Sequence, residues 1–262
     1  MLKERIKTGV IGLAFLLITM SLFEEYVFRL IIASVLMIAA WEWFNLVKET
    51  NRLLCLTNTI IFFLLGCYYQ ANSFTIEHMI IFFNLSLLFW FFCLILLFFY
   101  PIRYKNFLSI AFGYASLITG YIALDWIFVF SSQYLFAFLC LIWAMDIGAY
   151  FTGKKFGKIK LAKSISPNKT WEGLIGGLVF TIILSFLISK IIYFDAIMFT
   201  FFSISLGLTS VVGDLTVSMF KRNSNQKDTG KILPGHGGFL DRIDSIISSA
   251  PLFALGCIYF LF

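Results

Sequence analysis

The chain has 262 residues, of which 60% are hydrophobic, 19% aromatic and 13% charged, and its formal net charge is +6. A soluble domain of this length could not bury so much apolar surface, so this composition excludes an ordinary soluble protein. The long apolar runs do not alternate with polar residues, which excludes a membrane β-barrel. We therefore predict an all-α polytopic integral membrane protein that contacts the lipid bilayer and no nucleic acid, and whose excess of Lys and Arg encodes orientation.

About 20 apolar residues are needed for a helix to cross a bilayer. Nine stretches approach this requirement, at 8–22, 26–47, 53–69, 78–99, 107–122, 132–153, 172–192, 196–220 and 240–262. Two of them, 53–69 and 107–122, are short and polar for a span. The basic start and the apolar run of 8–22 resemble a signal peptide, but no cleavage site follows, so we expect a retained helix.

The distribution of basic residues predicts the orientation of these spans. If the N-terminus is cytoplasmic and all nine stretches span, 18 of the 20 Lys and Arg residues fall on the cytoplasmic side, and only Arg29 and Lys190 fall outside. Because cytoplasmic loops of membrane proteins are enriched in Lys and Arg, this bias predicts a cytoplasmic N-terminus and an external C-terminus.

The sequence shows no internal repeat and no soluble domain, so we predict one membrane-embedded unit over 1–262. Its N-terminal helices, over 1–100, are rich in Phe and poor in polar residues. Chemically distinctive residues concentrate in 140–262, which we predict to hold the catalytic helices. Two loops on the predicted cytoplasmic side, 154–171 and 221–239, are long and rich in Lys.

Four carboxylates lie within or at the start of apolar runs, where acids are costly and are functional candidates by default. Asp146 and Asp214 each lie seven residues before the cytoplasmic end of their predicted span, about 10 Å below that end at 1.5 Å per residue. Asp241 and Asp244 open the last span from the same side. The sequence therefore predicts that three helices bring carboxylates to a similar depth near the cytoplasmic face.

Helical spacing places further polar residues beside these acids. Asp214, Ser218 and Lys221 follow one another at i, i+4 and i+7, which predicts one shared helix face. A second polar stripe on the last span comprises Asp241, Asp244, Ser245 and Ser248. Such stripes are typical of a protein interior or a wet cavity rather than of a lipid-facing surface.

Each acid could instead pair with a nearby base. Asp241 could cap the last helix and neutralise Arg222 or Arg242 across the loop. Four acids at one depth beside two Lys-rich loops favour a bound cation, because clustered carboxylates repel one another. Mg²⁺ prefers oxygen ligands and shares them with substrate phosphates, and the glycines of Pro-Gly-His-Gly-Gly at 234–238 would let backbone N–H groups approach a phosphate.

These residues match a known family. Residues 218–244, SMFKRNSNQKDTGKILPGHGGFLDRID, resemble the signature of phosphatidate cytidylyltransferases: Ser-x-x-Lys-Arg, four residues, Lys-Asp, then Pro-Gly-His-Gly-Gly-x-x-Asp-Arg-x-Asp. Two further blocks, WAMDIGAYFTGKKFGK at 143–158 and SPNKTWEG at 166–173, also resemble this family. The first hundred residues are similar only in having several spans, with Glu42 in AAWEWF as a weak agreement.

The resemblance implies that phosphatidic acid and CTP react to give CDP-diacylglycerol and pyrophosphate, with Mg²⁺ as cofactor, in an integral-membrane homodimer. We expect the bacterial-type cytoplasmic (inner) membrane, with the active site facing the cytoplasm. We assign Asp214, Asp241 and Asp244 as catalytic metal ligands, Asp146 as a further catalytic acid and Lys221 as a catalytic phosphate clamp. The other predicted substrate-binding residues are Ser166, Lys169, Thr170, Ser218, Arg222, Lys227, Lys231, His236, Gly237, Gly238 and Arg242.

Without the family resemblance, the sequence leaves two other functions open. A CTP-dependent kinase of an isoprenoid lipid alcohol would transfer the γ-phosphoryl group at a similar site. An ion-coupled transporter could also use buried acids, although transporters often carry repeated halves and broken helices at the bilayer midplane. His236 could act as a donor or only fit its turn.

Overall fold

The computed structural model describes residues 18–20, 24–47, 52–102, 106–192, 195–230 and 237–261. Eight long helices dominate these residues: α1 (Glu25–Leu46), α2 (Arg52–Ala71), α3 (Ile76–Phe98), α4 (Asn106–Phe130), α5 (Ser132–Phe156), α6 (Trp171–Ile191), α7 (Ala196–Asn223) and α8 (Leu240–Leu261). Each is long and apolar enough to cross a membrane. The predicted all-α polytopic architecture is therefore confirmed.

Eight of the nine predicted spans correspond to α1–α8, and most of the remaining one, 8–22, lies outside the described residues. The two doubtful spans are full-length helices, since α2 has 20 residues and α4 has 25. The predicted end of α5 was three residues early, because the helix continues through its lysines to Phe156.

A short antiparallel hairpin between α5 and α6 was not predicted. It consists of β1 (Lys160–Ala162) and β2 (Ser166–Thr170), and Lys160 pairs with Thr170 at its base. Strands of only three and five residues lack the alternation of apolar and polar residues that identifies strands in a sequence. The segment predicted as a loop therefore has a defined backbone.

Helix α8 is central to the bundle and packs against α1, α3, α4, α5 and α7. Beside it, three rings from different helices contact one another: Trp43 of α1, Phe112 of α4 and Phe220 of α7. Their centroids lie 5.2 Å (Trp43–Phe112), 5.1 Å (Trp43–Phe220) and 4.4 Å (Phe112–Phe220) apart. Because lipid is as apolar as a protein core, such van der Waals packing, rather than a hydrophobic driving force, holds these helices together.

Helices α5 and α6 approach each other closely through glycines. A Cβ on Gly148 would lie 3.0 Å from the Cα of Gly177, and a Cβ on Gly177 would lie 2.7 Å from the carbonyl oxygen of Met145. Small residues allow this backbone-to-backbone contact between membrane helices. The contact fixes the hairpin, which connects these two helices, relative to the end of α5.

We expect Gly177→Ala to destabilise the protein by about 1–3 kcal/mol, because the added methyl has no space between α5 and α6. Thermal unfolding in detergent measures this effect. Ile175→Ala is the matched control, since Ile175 lies on the same helix with 60% of its surface exposed, and its melting temperature should remain near that of the parent. Equal melting temperatures for both variants would contradict the close packing.

Three connections between helices and the end of α1 meet at one end of the bundle, here called the site end. Asn223 Nδ2 donates to the carbonyl oxygen of Ile102 at 3.0 Å, and Arg222 Nε donates to that of Ile165 at 3.0 Å. Glu42, near the end of α1, accepts hydrogen bonds from Thr229 after α7 and from Leu240, the first residue of α8. The opposite end holds a bidentate ion pair between Arg29 and Asp125, with both N–O distances 2.8 Å.

Candidate active site

The last turns of α7 present a polar face to the site end. Ser218 Oγ donates to Asp214 Oδ1 at 3.3 Å, and Lys221 Nζ lies 2.6 Å from Asp241 Oδ1 on α8. Asp214, Ser218 and Lys221 therefore share a face, as their i, i+4 and i+7 spacing predicts. The Lys221–Asp241 contact also joins this face of α7 to the start of α8.

The hairpin carries Lys169 to the same face. Its Nζ lies 2.5 Å from Asp214 Oδ2, and both side chains are about one-quarter exposed, at 26% and 28%. Burial alone would lower the pKa of Lys169, but Asp214, Asp146 and Asp244 outweigh it and raise that pKa above its ordinary value. Lys169 therefore supplies a fixed positive charge at neutral pH.

Two further carboxylates surround this ion pair. Asp146 of α5 and Asp244 of α8 both lie within electrostatic range of Asp214 and Lys169. Asp244 is only 6% exposed, and its Oδ1 accepts from the backbone N–H of Ser245 at 2.8 Å. Three helices thus bring carboxylates together at the site end, as the sequence predicts.

Asp241 has a different environment from the other three acids. One of its oxygens pairs with Lys221, and the other accepts from the backbone N–H groups of Thr229 at 3.0 Å and Gly238 at 3.1 Å. Asp241 therefore anchors the backbone that leads into α8, much as the capping alternative suggested. Its cationic partner is Lys221, whereas that alternative named Arg222 or Arg242.

Asp214, Asp241 and Asp244 are the predicted metal ligands, and their contacts indicate which of them could hold a metal ion. The described ranges contain no group of three or more His, Cys, Asp or Glu residues that could hold a metal ion. Both oxygens of Asp241 are engaged by Lys221 and backbone N–H groups, and both oxygens of Asp214 are engaged by Ser218 and Lys169. Asp214 and Asp244 are nevertheless the oxygen donors that Mg²⁺ prefers, and Mg²⁺ usually takes one or two carboxylates together with substrate phosphates. Asp214 and Asp244 would fit a two-carboxylate site once the Lys169 ammonium turns away from Asp214, whereas a three-carboxylate cage would also require Asp241 to release Lys221.

Two residues predicted to contact phosphate, Thr170 and Arg222, make hydrogen bonds within the protein. Thr170 is the N-cap of α6, where its hydroxyl oxygen accepts from the backbone N–H of Gly173 at 3.1 Å. Arg222 donates to the carbonyl oxygens of Ile165 and Gln226, which ties the hairpin to the end of α7. Both residues therefore shape the site end in this structure, and their phosphate contacts stay predictions.

The other predicted substrate-binding residues differ in their exposure to solvent. Ser166 begins β2 and is half-buried, whereas Lys227 and Arg242 are exposed. Gly237 has φ +84, a left-handed conformation that favours glycine, immediately before the buried Gly238. Lys231 and His236 lie outside the described residues.

Glu42 is a residue that the sequence indicated only weakly. It is 2% exposed, and its Oε2 accepts from Thr229 Oγ1 at 3.1 Å and from the backbone N–H of Leu240 at 2.8 Å. The rule that singled out the aspartates, that an acid within an apolar run is a functional candidate, applies equally to Glu42.

The chain is similar to known proteins over most of its length. Residues 3–260 match the cytidylyltransferase family. The phosphatidate cytidylyltransferase of Haemophilus influenzae is 34% identical, with coverage of 100% of this chain and 99% of the relative. That of Pseudomonas aeruginosa is 33% identical, with coverage of 97% and 96%. That of Rickettsia bellii is 47% identical over 123 residues, 44% of this chain and 53% of the relative.

The family match spans nearly the whole chain, and the two long alignments include both the N-terminal helices and the site end. The chain therefore belongs to the cytidylyltransferase family.

Proposed function

We propose that this protein transfers the cytidylyl group of CTP to phosphatidic acid and so forms CDP-diacylglycerol and pyrophosphate for phospholipid biosynthesis. The observation that carries this proposal is the cluster of Asp146, Asp214, Asp244 and Lys169 at the site end of a chain from this family. The full-length relatives are phosphatidate cytidylyltransferases, which favours this function over an isoprenoid kinase or a transporter.

The reaction needs positioning and charge neutralisation more than a strong base. An anionic oxygen of the phosphatidic acid phosphate attacks the α-phosphorus of CTP. The bond from that phosphorus to the bridging oxygen breaks, and its electron pair leaves with pyrophosphate. Because the nucleophile is already ionised, the site needs chiefly to align the reactants and to offset negative charge, which Lys169 and Lys221 are placed to do.

A divalent metal ion is part of this proposal. Mg²⁺ would supply charge neutralisation at the CTP phosphates and at the leaving pyrophosphate. Asp214 and Asp244 are the residues that would hold it, with Asp214 giving up its contact with Lys169, and Asp241 would join them only by also giving up its contact with Lys221. Asp146 would remain a nearby acid that offsets the charge of Lys169.

We also propose that the site end faces the cytoplasm in a bacterial inner membrane, where CTP is available. The 18-to-2 division of basic residues supports this orientation. A homodimer is proposed from the family resemblance, and light scattering of the detergent-solubilised protein would measure the subunit number.

Cysteine labelling tests the orientation. In a background with the five native cysteines replaced by alanine, Lys160→Cys on the hairpin should react only with a reagent applied from the cytoplasmic side. Asn72→Cys, after the end of α2 at the opposite end of the bundle, is the matched position and should react only from outside. The reverse pattern would contradict the proposed orientation.

A nucleotide panel tests the function. Purified protein receives phosphatidic acid, Mg²⁺ and each of the four ribonucleoside triphosphates in turn, and mass spectrometry identifies the lipid product. We expect a nucleotide-linked diacylglycerol with CTP and little product with the other three. Turnover with every nucleotide, or none with CTP, would contradict the proposal.

A further inference from the structure

The loop between α7 and α8 is held by two carboxylates from different parts of the chain. Thr229 donates its backbone N–H to Asp241 Oδ2 and its hydroxyl to Glu42 Oε2, at 3.0 Å and 3.1 Å. Glu42 Oε2 also accepts from the N–H of Leu240, the first residue of α8. Glu42 thus joins α1 to both sides of the loop, across 187 and 198 residues of sequence.

The packing around Glu42 leaves little freedom. A Cβ on Gly238 would lie 2.6 Å from Glu42 Oε2 and 2.7 Å from the backbone nitrogen of Gly230. A Cβ on Gly230 would collide with the other carboxylate oxygen, Oε1. The two glycines therefore let both arms of the loop close onto one carboxylate.

Stability alone does not explain a glutamate at this position. Glu42 Oε1 is buried and has no hydrogen-bond partner among the residues that the structure describes. An unsatisfied buried oxygen acts against folding, so a glutamate here has a cost that an apolar residue would avoid. A role in positioning the loop accounts for that cost.

We propose that Glu42 is a positioning residue for CTP binding, acting through Thr229 and Asp241 on Lys221. By holding Thr229, Glu42 keeps the Thr229 N–H directed at Asp241, and Asp241 in turn orients the Lys221 ammonium at 2.6 Å. This inference rests on the proposed function, in which Lys221 offsets the charge of the nucleotide phosphates. Glu42 is buried against Thr229 and Leu240, so we place its effect in the fixed position of Lys221.

Steady-state kinetics with CTP as the varied substrate tests this role. We expect Glu42→Ala to raise KM for CTP about tenfold or more, because small displacements of aligned groups are costly, and to leave KM for phosphatidic acid nearly unchanged. Glu42→Gln keeps a carbonyl acceptor for Thr229 and Leu240 and should remain within a few-fold of the parent. A glutamine variant as impaired as the alanine variant would contradict positioning by hydrogen bonds.

Thr229→Val provides a second, milder variant that removes only the hydroxyl. It should raise KM for CTP in the same direction, and the double variant with Glu42→Ala should be little worse than Glu42→Ala alone, because both changes break one connection. If the two substitutions instead multiply their effects on KM for CTP in the double variant, Glu42 and Thr229 do not act through one hydrogen bond.

The matched control is Asp125→Asn, which disrupts a buried acid at the opposite end of the bundle, where Asp125 is 0% exposed and pairs with Arg29. Arg29 lies 13 residues before Glu42 on the same helix, about 20 Å away along its axis. This control should lower the melting temperature without changing KM for CTP. If Glu42→Ala behaves like it, the positioning role is wrong, whereas a parent protein without cytidylyl transfer would refute the proposed function itself.

Discussion

Asp214→Asn is expected to reduce turnover by about 10²-fold or more while leaving the protein folded. The substitution keeps the shape of the side chain but removes the charge that lies between Lys169, Ser218 and the neighbouring acid Asp244. Loss of one preorganised electrostatic group at a reacting centre commonly costs this much. Initial rates of CDP-diacylglycerol formation measure the effect.

The same substitution at Asp195 is the control for Asp214→Asn. Asp195 caps the opposite end of α7, where its side chain accepts from the N–H of Met198 at 2.8 Å, and asparagine is an equally good cap. Asp195→Asn should keep near-parental rates. Similar rates in the two variants would contradict a catalytic role for Asp214.

A Mg²⁺ titration separates the carboxylates by role. A partly active Asp214→Asn or Asp244→Asn variant should need more Mg²⁺ for half-maximal rate, because each has lost an oxygen donor. Asp241→Asn should lower the melting temperature and leave the Mg²⁺ requirement unchanged, because it leaves Lys221 without its buried charge partner. Unchanged titration curves for Asp214 and Asp244 variants would contradict the proposed metal ligands.

Lys169→Ala is expected to cause the second large loss, again about 10²-fold in kcat/KM for CTP. Lys169 is the cation that the hairpin places against Asp214, and the surrounding acids raise its pKa. Its removal both deletes a positive charge and leaves Asp214 unpaired. Because the acids raise the pKa of Lys169 above its ordinary value, Lys169 stays protonated at neutral pH, and its titration should not limit activity there.

Lys163→Ala provides the comparison on the same hairpin. Lys163 lies in the exposed turn between β1 and β2, so its removal tests whether the hairpin acts only through its net positive charge. We expect near-parental kinetics for Lys163→Ala. Equal losses in both variants would indicate that the hairpin is a basic segment without a specific role for Lys169.

The helical architecture could be predicted from the sequence because a bilayer imposes a minimum length on apolar runs. That rule identified the eight described helices and the carboxylates Asp146, Asp214 and Asp244 on three of them. The i, i+4, i+7 rule also placed Ser218 and Lys221 on the face of Asp214. These features follow from local spacing, which a sequence displays directly.

Local spacing could not predict which groups form hydrogen bonds and ion pairs with these site residues. Asp241 pairs with Lys221 and with two backbone N–H groups, and Thr170 caps a helix, because of how the loop and the hairpin fold back on the bundle. Glu42 reaches Thr229 across 187 residues, a distance over which local periodicity carries no information. Long-range contacts of this kind depend on the packing of the whole bundle.

The most direct test of cytidylyl transfer follows the phosphorus atoms of CTP. Purified protein receives phosphatidic acid, Mg²⁺ and CTP radiolabelled at either the α- or the γ-phosphate, and the label in the lipid phase is counted. Attack on the α-phosphorus predicts α-label in the lipid and γ-label released as pyrophosphate, and Asp214→Asn should slow both by about 10²-fold. Label from the γ-phosphate in the lipid would contradict cytidylyl transfer and indicate a kinase.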